Sequence, residues 1–234
     1  MKHPTFLPIV LLGLLFAARS SGTLPEEGAV PVLQESFDYG TNEEFASRWK
    51  VEPGVSWAER EGNPAPSLAH DGRGSAQADW RGRTLAVNAG PRNRLLVRVD
   101  FFDPGFGTCR NVLALSGRGY AGLLQMGLYN VPGGGPYGMR ISGSRFYGNE
   151  GWISHPVARS SGWHRFEAEM GSTGVVFRLD LGADGRTDSE VRIEGSPAPG
   201  DFTSLSIGNP TGLAVEPSVA DNIFVFLLPI PDAP

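Results

Sequence analysis

Glu167 and Glu169 stand two residues apart in the run Gly162–Met170, so on an extended strand both carboxyls project from one face. Paired carboxylates in a cleft can serve general acid–base or glycosidic chemistry. Arg165 and Arg178 are near enough in the same hairpin to pair with them, which reads instead as surface ion pairing. Outside the first twenty residues the histidines are His70, His155 and His164; none has a zinc spacing, and no Gly-x-Ser-x-Gly nucleophile elbow occurs. His164 falls on the apolar side of its strand and reads as a satisfied core or boundary residue. Gly117, Gly119 and Gly122 match Gly-x-Gly-x-x-Gly, but no helix follows to hold a pyrophosphate, and the next acidic residue is Glu150. That match is a glycine-rich β-turn. Asp180, Gly182, Asp184 and Gly185 resemble the start of a calcium loop, yet the third position lacks an oxygen side chain and the twelfth is Val191. An EF-hand is rejected. A looser structural calcium site drawing on Asp180, Asp184 and Asp188 stays open beside a plain solvated turn.

A second group has binding chemistry without catalytic chemistry. Tyr129, Tyr137, Phe146, Tyr147 and Trp152 crowd one stretch together with Asn130, Arg140 and Asn149. Aromatic rings stack on the apolar faces of sugars while amides and guanidinium groups bind hydroxyls. The expected ligand contacts are Tyr129, Asn130, Tyr137, Arg140, Tyr147 and Trp152. The same rings could equally fill a sandwich core.

The elements that must position these residues are strands. In the first run His164, Phe166, Ala168 and Met170 share one face and Arg165, Glu167 and Glu169 the other; Val175, Phe177 and Leu179 alternate likewise with Arg178 and Asp180. A period of two with one apolar set predicts a strand packed on one side and wet on the other. Gly171 and Gly174 close the pair into an antiparallel hairpin. Residues 94–102 form a further strong strand, 111–116, 123–130 and 137–142 continue a meander, and 220–228 closes the domain. Short pieces between 55 and 87 are broken by glycine, proline and asparagine, which favours a sandwich or barrel. Residues 38–48 are a loop or short helical turn. No amphipathic helix of three turns and no internal repeat is visible.

The chain has 234 residues, 40% hydrophobic and 19% charged, with 32 glycines and 19 prolines. This composition suits one turn-rich all-β domain rather than a low-complexity chain. A net charge of −5 lacks the basic footprint that a phosphate backbone demands, so nucleic acid is not an expected partner. Lys2 and the apolar run 6–18, followed by small residues, read as a secretory signal peptide over 1–20, too short to span a bilayer comfortably. The expectation is a secreted or envelope-located protein that does not span a membrane after cleavage. A leader (21–29), a sandwich domain (30–228) and a proline-rich tail (229–234) follow. Cys109 is the single cysteine, so no internal disulfide forms, and it reads as a buried small hydrophobe.

The segments GWHRFEAEM…VVFRLDLGADG, RLLVRVDFF and VADNIFVF together resemble the concanavalin A-like lectin/glucanase superfamily, of the laminin-G-like type. The resemblance implies an antiparallel two-sheet jelly-roll sandwich that binds sugar on one sheet or at its rim. It also implies calcium in some members, which would here involve Asp221. Glucanases of that superfamily carry Glu-x-Asp-x-x-Glu; Glu167-Ala168-Glu169 is the nearest approach and lacks the central Asp. The expected function is therefore a secreted, non-catalytic module for a polysaccharide or cell-surface glycan. An exported glycan hydrolase or lyase using Glu167 and Glu169, and a structural envelope protein without a small ligand, are the alternatives.

Overall fold

The structure, a computed structural model, describes residues 27–74, 76–81, 85–87, 89–117, 122–130, 134–143, 151–195, 202–209 and 211–230. The expected signal peptide, most of the leader and tail, and Tyr147 lie outside them. In chain order the elements are β1 (Val30–Glu35), α1 (Asn42–Arg48), β2 (Trp49–Val51), β3 (Val55–Ala58), β4 (Ser67–His70), β5 (Gln77–Trp80), β6 (Asn93–Asp103), β7 (Arg110–Gly117) and β8 (Gly122–Tyr129). There follow β9 (Tyr137–Gly143), β10 (Ile153–Ser154), β11 (Gly162–Met170), β12 (Gly174–Leu181), β13 (Ser189–Glu194), β14 (Phe202–Gly208) and β15 (Ser218–Pro229). The first sheet runs β13-β12-β11-β6-β15-β4-β3, with β1 also paired to β15; the second runs β10-β9-β8-β7-β14-β5-β2.

Alternation explains why the two sheets stack. On β6, Val97, Val99 and Phe101 turn inward beside Phe166 and Ala168 of β11, all fully buried. Leu113, Leu124 and Met126 of the second sheet answer from the other side in one continuous core. Phe101 and Phe166 meet edge to face at 5.7 Å, and Tyr137 of β9 meets Phe166 at 5.9 Å across the layers. Asn111 also crosses the layers, its Nδ2 donating to Ser218 Oγ at 2.8 Å. Each fully buried large apolar side chain stabilises the sandwich by about 1.5–3 kcal/mol.

At one end, α1 starts on Thr41, whose Oγ1 accepts from Glu44 N at 3.2 Å. It delivers Trp49 into a cluster with Phe37 at 5.6 Å and Trp80 at 5.2 Å. Buried Glu35 accepts there from Phe37 N at 2.6 Å, and from the Tyr39 hydroxyl.

The hairpin forms as expected, and its register sets Glu167 opposite Arg178 on β12 and opposite Arg98 on β6. Its outward face is not simply wet. Arg165 and Asp180 are buried there, and Asp100 of β6 is wholly enclosed. Arg165 reaches Asp100 with Nε at 2.8 Å and Nη2 at 2.9 Å, a two-point bond, rather than pairing with the glutamates. Two short strands, β2 and β10, were not legible as strands, and the piece around residue 87 forms only a single bridge from Val87 to Phe202.

Replacing Arg165 with Leu would strand the Asp100 charge in the sheet, and breaking a buried pair from one side costs about 3–5 kcal/mol. Denaturant unfolding of Arg165→Leu is expected to show a loss of that size; a change of under about 1 kcal/mol would mean that Asp100 is hydrated in solution.

Candidate functional site

Two outward faces compete for a ligand. On the first sheet, both glutamates are fully engaged. Arg98 gives Nε at 3.1 Å and Nη2 at 2.7 Å to Glu167 Oε2, while Arg178 Nη1 reaches Glu167 Oε1 at 3.0 Å and Glu169 Oε2 at 2.8 Å. Arg94 closes the set on Glu169 Oε1 at 2.5 Å. Burial pushes the Glu169 carboxyl up, but the bonds from Arg178 and Arg94 outweigh it and hold the group below its ordinary value. A general acid needs the opposite shift. A cavity of about 140 Å³ opens here, lined by Arg98, Arg165, Glu167, Arg178, Asp180 and Thr187 among others. Its charges satisfy one another.

The acids suggested for calcium do not form one donor set. Asp180 accepts from Asp184 N at 3.0 Å and Gly185 N at 2.8 Å, and Asp184 accepts from Arg186 N at 3.0 Å, so both hold their own turn. Asp188 does the same for Leu181 N at 2.7 Å. Asp221 lies three strands away on β15, roughly 14 Å at ordinary strand spacing. No group of three metal-ligating side chains occurs among the described residues. Asp221 is buried with its carboxylate accepting from Asn63 N at 2.6 Å and Asn222 N at 2.7 Å.

The aromatic group divides. Tyr137 is a correction: it is wholly buried in the core, and its hydroxyl accepts from Ser160 N at 3.0 Å beside His164 Nε2 at 3.0 Å. Asn130 is committed to the backbone, its Oδ1 accepting from Cys109 N at 2.7 Å. Cys109 is buried, and burial, with Asp103 adding to it, pushes its thiol up to about 11; it is no nucleophile. Tyr147, Phe146 and Asn149 lie outside the described residues.

Tyr129 and Trp152 do come together, on the outward face of the second sheet, and Arg140 lies on the same face two residues along β9 from Gly138. Tyr129 and Trp152 stack at 3.8 Å with planes 9° apart, and the Arg110 guanidinium covers the Tyr129 ring at 4.8 Å from its centre. Arg110 Nη1 also donates to the Tyr129 hydroxyl at 3.2 Å. The stack needs Gly138 beneath it, because a Cβ there would stand 2.9 Å from Tyr129 Cβ and 3.0 Å from Trp152 Cε3. Tyr129 is 8% exposed, whereas Trp152 is half-buried, so Tyr129 is the backing plate and Trp152 the ring presented outward. Register sets Arg140 beside Gln125, and Gln125 beside Ala114, Ser206 and Asp79 in turn. Gln125, also 8% exposed, was missed by sequence reading, because a single glutamine among leucines carries no binding signal.

Domain 4 of AbnA, a GH43 extracellular arabinanase from Geobacillus stearothermophilus in complex with arabinotriose, matches at TM-score 0.57 with 11% identity over 86% of this chain and 94% of that one. The endo-1,3-β-glucanase from Streptomyces sioyaensis matches at 0.57 with 17% identity over 89% and 99%. The Ca2+/Man3GlcNAc-bound exoplasmic/lumenal domain of VIP36 matches at 0.57 with 9% identity over 86% and 90%. The fold is the concanavalin A-like jelly roll. No family model matches the sequence, and no curated protein matches it. Within this concanavalin A-like sandwich, no helix among the described residues is long and apolar enough to cross a membrane.

Burial pushes the Asp221 carboxyl up to about 7, with Asp100 and Asp38 adding to it against the two backbone amides. A folded-state value above the unfolded value of about 3.9 favours the protonated fold, so that stabilisation is whole below about pH 4 and is lost as pH rises through about 7. The melting temperature of Asp221→Asn relative to wild type is therefore expected to climb between about pH 4 and about pH 8 in differential scanning fluorimetry. A gap that stays constant or shrinks would show that Asp221 titrates as an ordinary carboxylate.

Proposed function

We propose that this chain is a secreted, non-catalytic carbohydrate-binding module whose ligand lies on the outward face of the second sheet, against Trp152. The observation that carries the reading is the contrast between the two faces. On the first sheet the outward arginines Arg94, Arg98, Arg165 and Arg178 each meet a carboxylate within 3.0 Å, and the exposed Arg192 has Glu190 at 3.7 Å. The second sheet presents an aromatic plate with Gln125 and Arg140 alongside, and neither of their side chains has a hydrogen-bond partner among the described residues. A stacking ring flanked by open polar groups is what a sugar's apolar face and hydroxyl rim require. Arabinotriose in the AbnA domain and Man3GlcNAc in the VIP36 domain support a saccharide as the ligand class for this fold. One such site suggests a dissociation constant between about 1 µM and 1 mM, roughly −4 to −8 kcal/mol.

The proposal assigns Glu167 and Glu169 no chemistry. Each of their four carboxylate oxygens already accepts from an arginine.

Glycan-array binding followed by calorimetry tests this with two variants. Trp152→Ala is expected to weaken saccharide binding at least tenfold, about 1.4 kcal/mol or more, with a small change in melting temperature. Glu167→Gln is expected to leave binding unchanged. Reducing ends released from a polysaccharide by the wild type, and lost in Glu167→Gln, would overturn the non-catalytic reading; retention of no saccharide by the folded protein would overturn the binding one.

A further inference from the structure

We infer that the saccharide on this face is anionic, a sugar unit carrying a carboxylate or a sulfate that Arg140 receives while the ring of the same unit lies on Trp152. This deepens the carbohydrate reading of the same face and rests on it.

Arg140 is a guanidinium with its stem enclosed and its charge unanswered. Its Nε is buried with no hydrogen-bond partner, as is that of Arg110, and no carboxylate pairs with either among the described residues. Arg110 uses Nη1 on a neutral phenol. Leaving a charged donor unmatched inside protein is costly, and such a group calls for a partner from outside the chain, here a ligand on the open face. The other face serves as the internal control: Arg94, Arg98, Arg165 and Arg178 each have a carboxylate within 3.0 Å, and even the exposed Arg192 has Glu190 at 3.7 Å.

Position fixes which part of the ligand is charged. β10 pairs Ile153 with Met139 and Ser154 with Gly138, and the Trp152 indole lies over Gly138, two residues along β9 from Arg140 on the same face. Residues two apart on one face of a strand are about 7 Å apart, a distance that the long arginine side chain brings within the span from a pyranose ring to a group on its rim. Gln125 flanks Arg140 on the other side and supplies an amide for a neighbouring hydroxyl. Asp79, on this face in the same cross-strand row, sits four strands from Arg140, roughly 19 Å, too far to neutralise it. A planar fork with free donors matches a carboxylate or sulfate at two points, which a hydroxyl cannot reproduce.

The test uses the full chain in affinity electrophoresis and calorimetry against four probes: polygalacturonate, the same polymer with its carboxyls reduced to alcohols, dextran sulfate and unmodified dextran. Binding to an anionic polymer is expected to exceed binding to its neutral counterpart by roughly tenfold to a hundredfold, and to weaken with salt. Preference for polygalacturonate over its reduced form identifies a uronate, and preference for dextran sulfate over dextran identifies a sulfate; either supports the inference. Arg140→Gln should remove that preference while keeping any neutral binding, and Arg140→Lys, which keeps charge without the fork, should fall between. Equal binding of charged and neutral polymers, or a preference that survives in a folded Arg140→Gln, overturns the anionic assignment and leaves the carbohydrate reading standing. Failure to bind any saccharide in a wider panel would remove both.

Discussion

Asp100 holds its carboxylate at a position no water reaches, and the fold tolerates it because Arg165 meets it at two points. That bond fixes more than its own residues. It ties β6 to β11 in the register that sets Glu167 between Arg98 and Arg178, and Asn222 Nδ2 adds a third contact to Asp100 from β15 at 3.1 Å. Slipping β11 by one residue would turn Phe166 outward and Arg165 into the core, so packing and charge reject the same errors. The outward face of the first sheet is thus a locked electrostatic lattice whose charges are used up in holding strands together.

The second sheet is built the other way. Several of its outward residues are small or neutral, Ala114, Ser206 and Gly138 among them; Arg110, Arg140 and Asp79 share the face without pairing with one another, and its order comes from the core beneath it. Nothing on that face has to be satisfied for the strands to pair. This frees it to carry Trp152, Gln125 and Arg140 in a fixed arrangement without those side chains serving the fold. Tyr129 makes the arrangement rigid, pressed between an indole at 3.8 Å and a guanidinium, over a glycine that leaves room for nothing else. Rigidity matters for a shallow site, since ordering side chains on binding would consume much of a small affinity.

The architecture was legible in the sequence because alternation is a local signal. The hairpin, the β6 strand and the closing β15 strand each announce one apolar face within eight or nine residues, and the structure places each where that pattern put it. The site was legible only in part, because whether an aromatic ring faces the core or the solvent depends on register with strands far away. Tyr129 and Tyr137 both sit on flanking strands of one hairpin, yet Tyr129 opposes Arg110 outside and Tyr137 opposes Leu128 inside. Arg165 posed the same difficulty. Its partner was expected in its own hairpin and was found sixty-five residues away on β6, a pairing that only the sheet order reveals. Short strands β2 and β10 escaped because three and two residues cannot show a period.

Nuclear magnetic resonance titration of the labelled chain with a saccharide that it retains would decide between the faces most directly. Shifts confined to the Trp152 indole, the Gln125 amide and the Arg140 guanidinium, with Arg98 and Arg178 unmoved, are the expected result. Shifts centred on Arg98, Arg165 and Arg178, with the Trp152 indole silent, would contradict the assignment and put the ligand on the charged face instead.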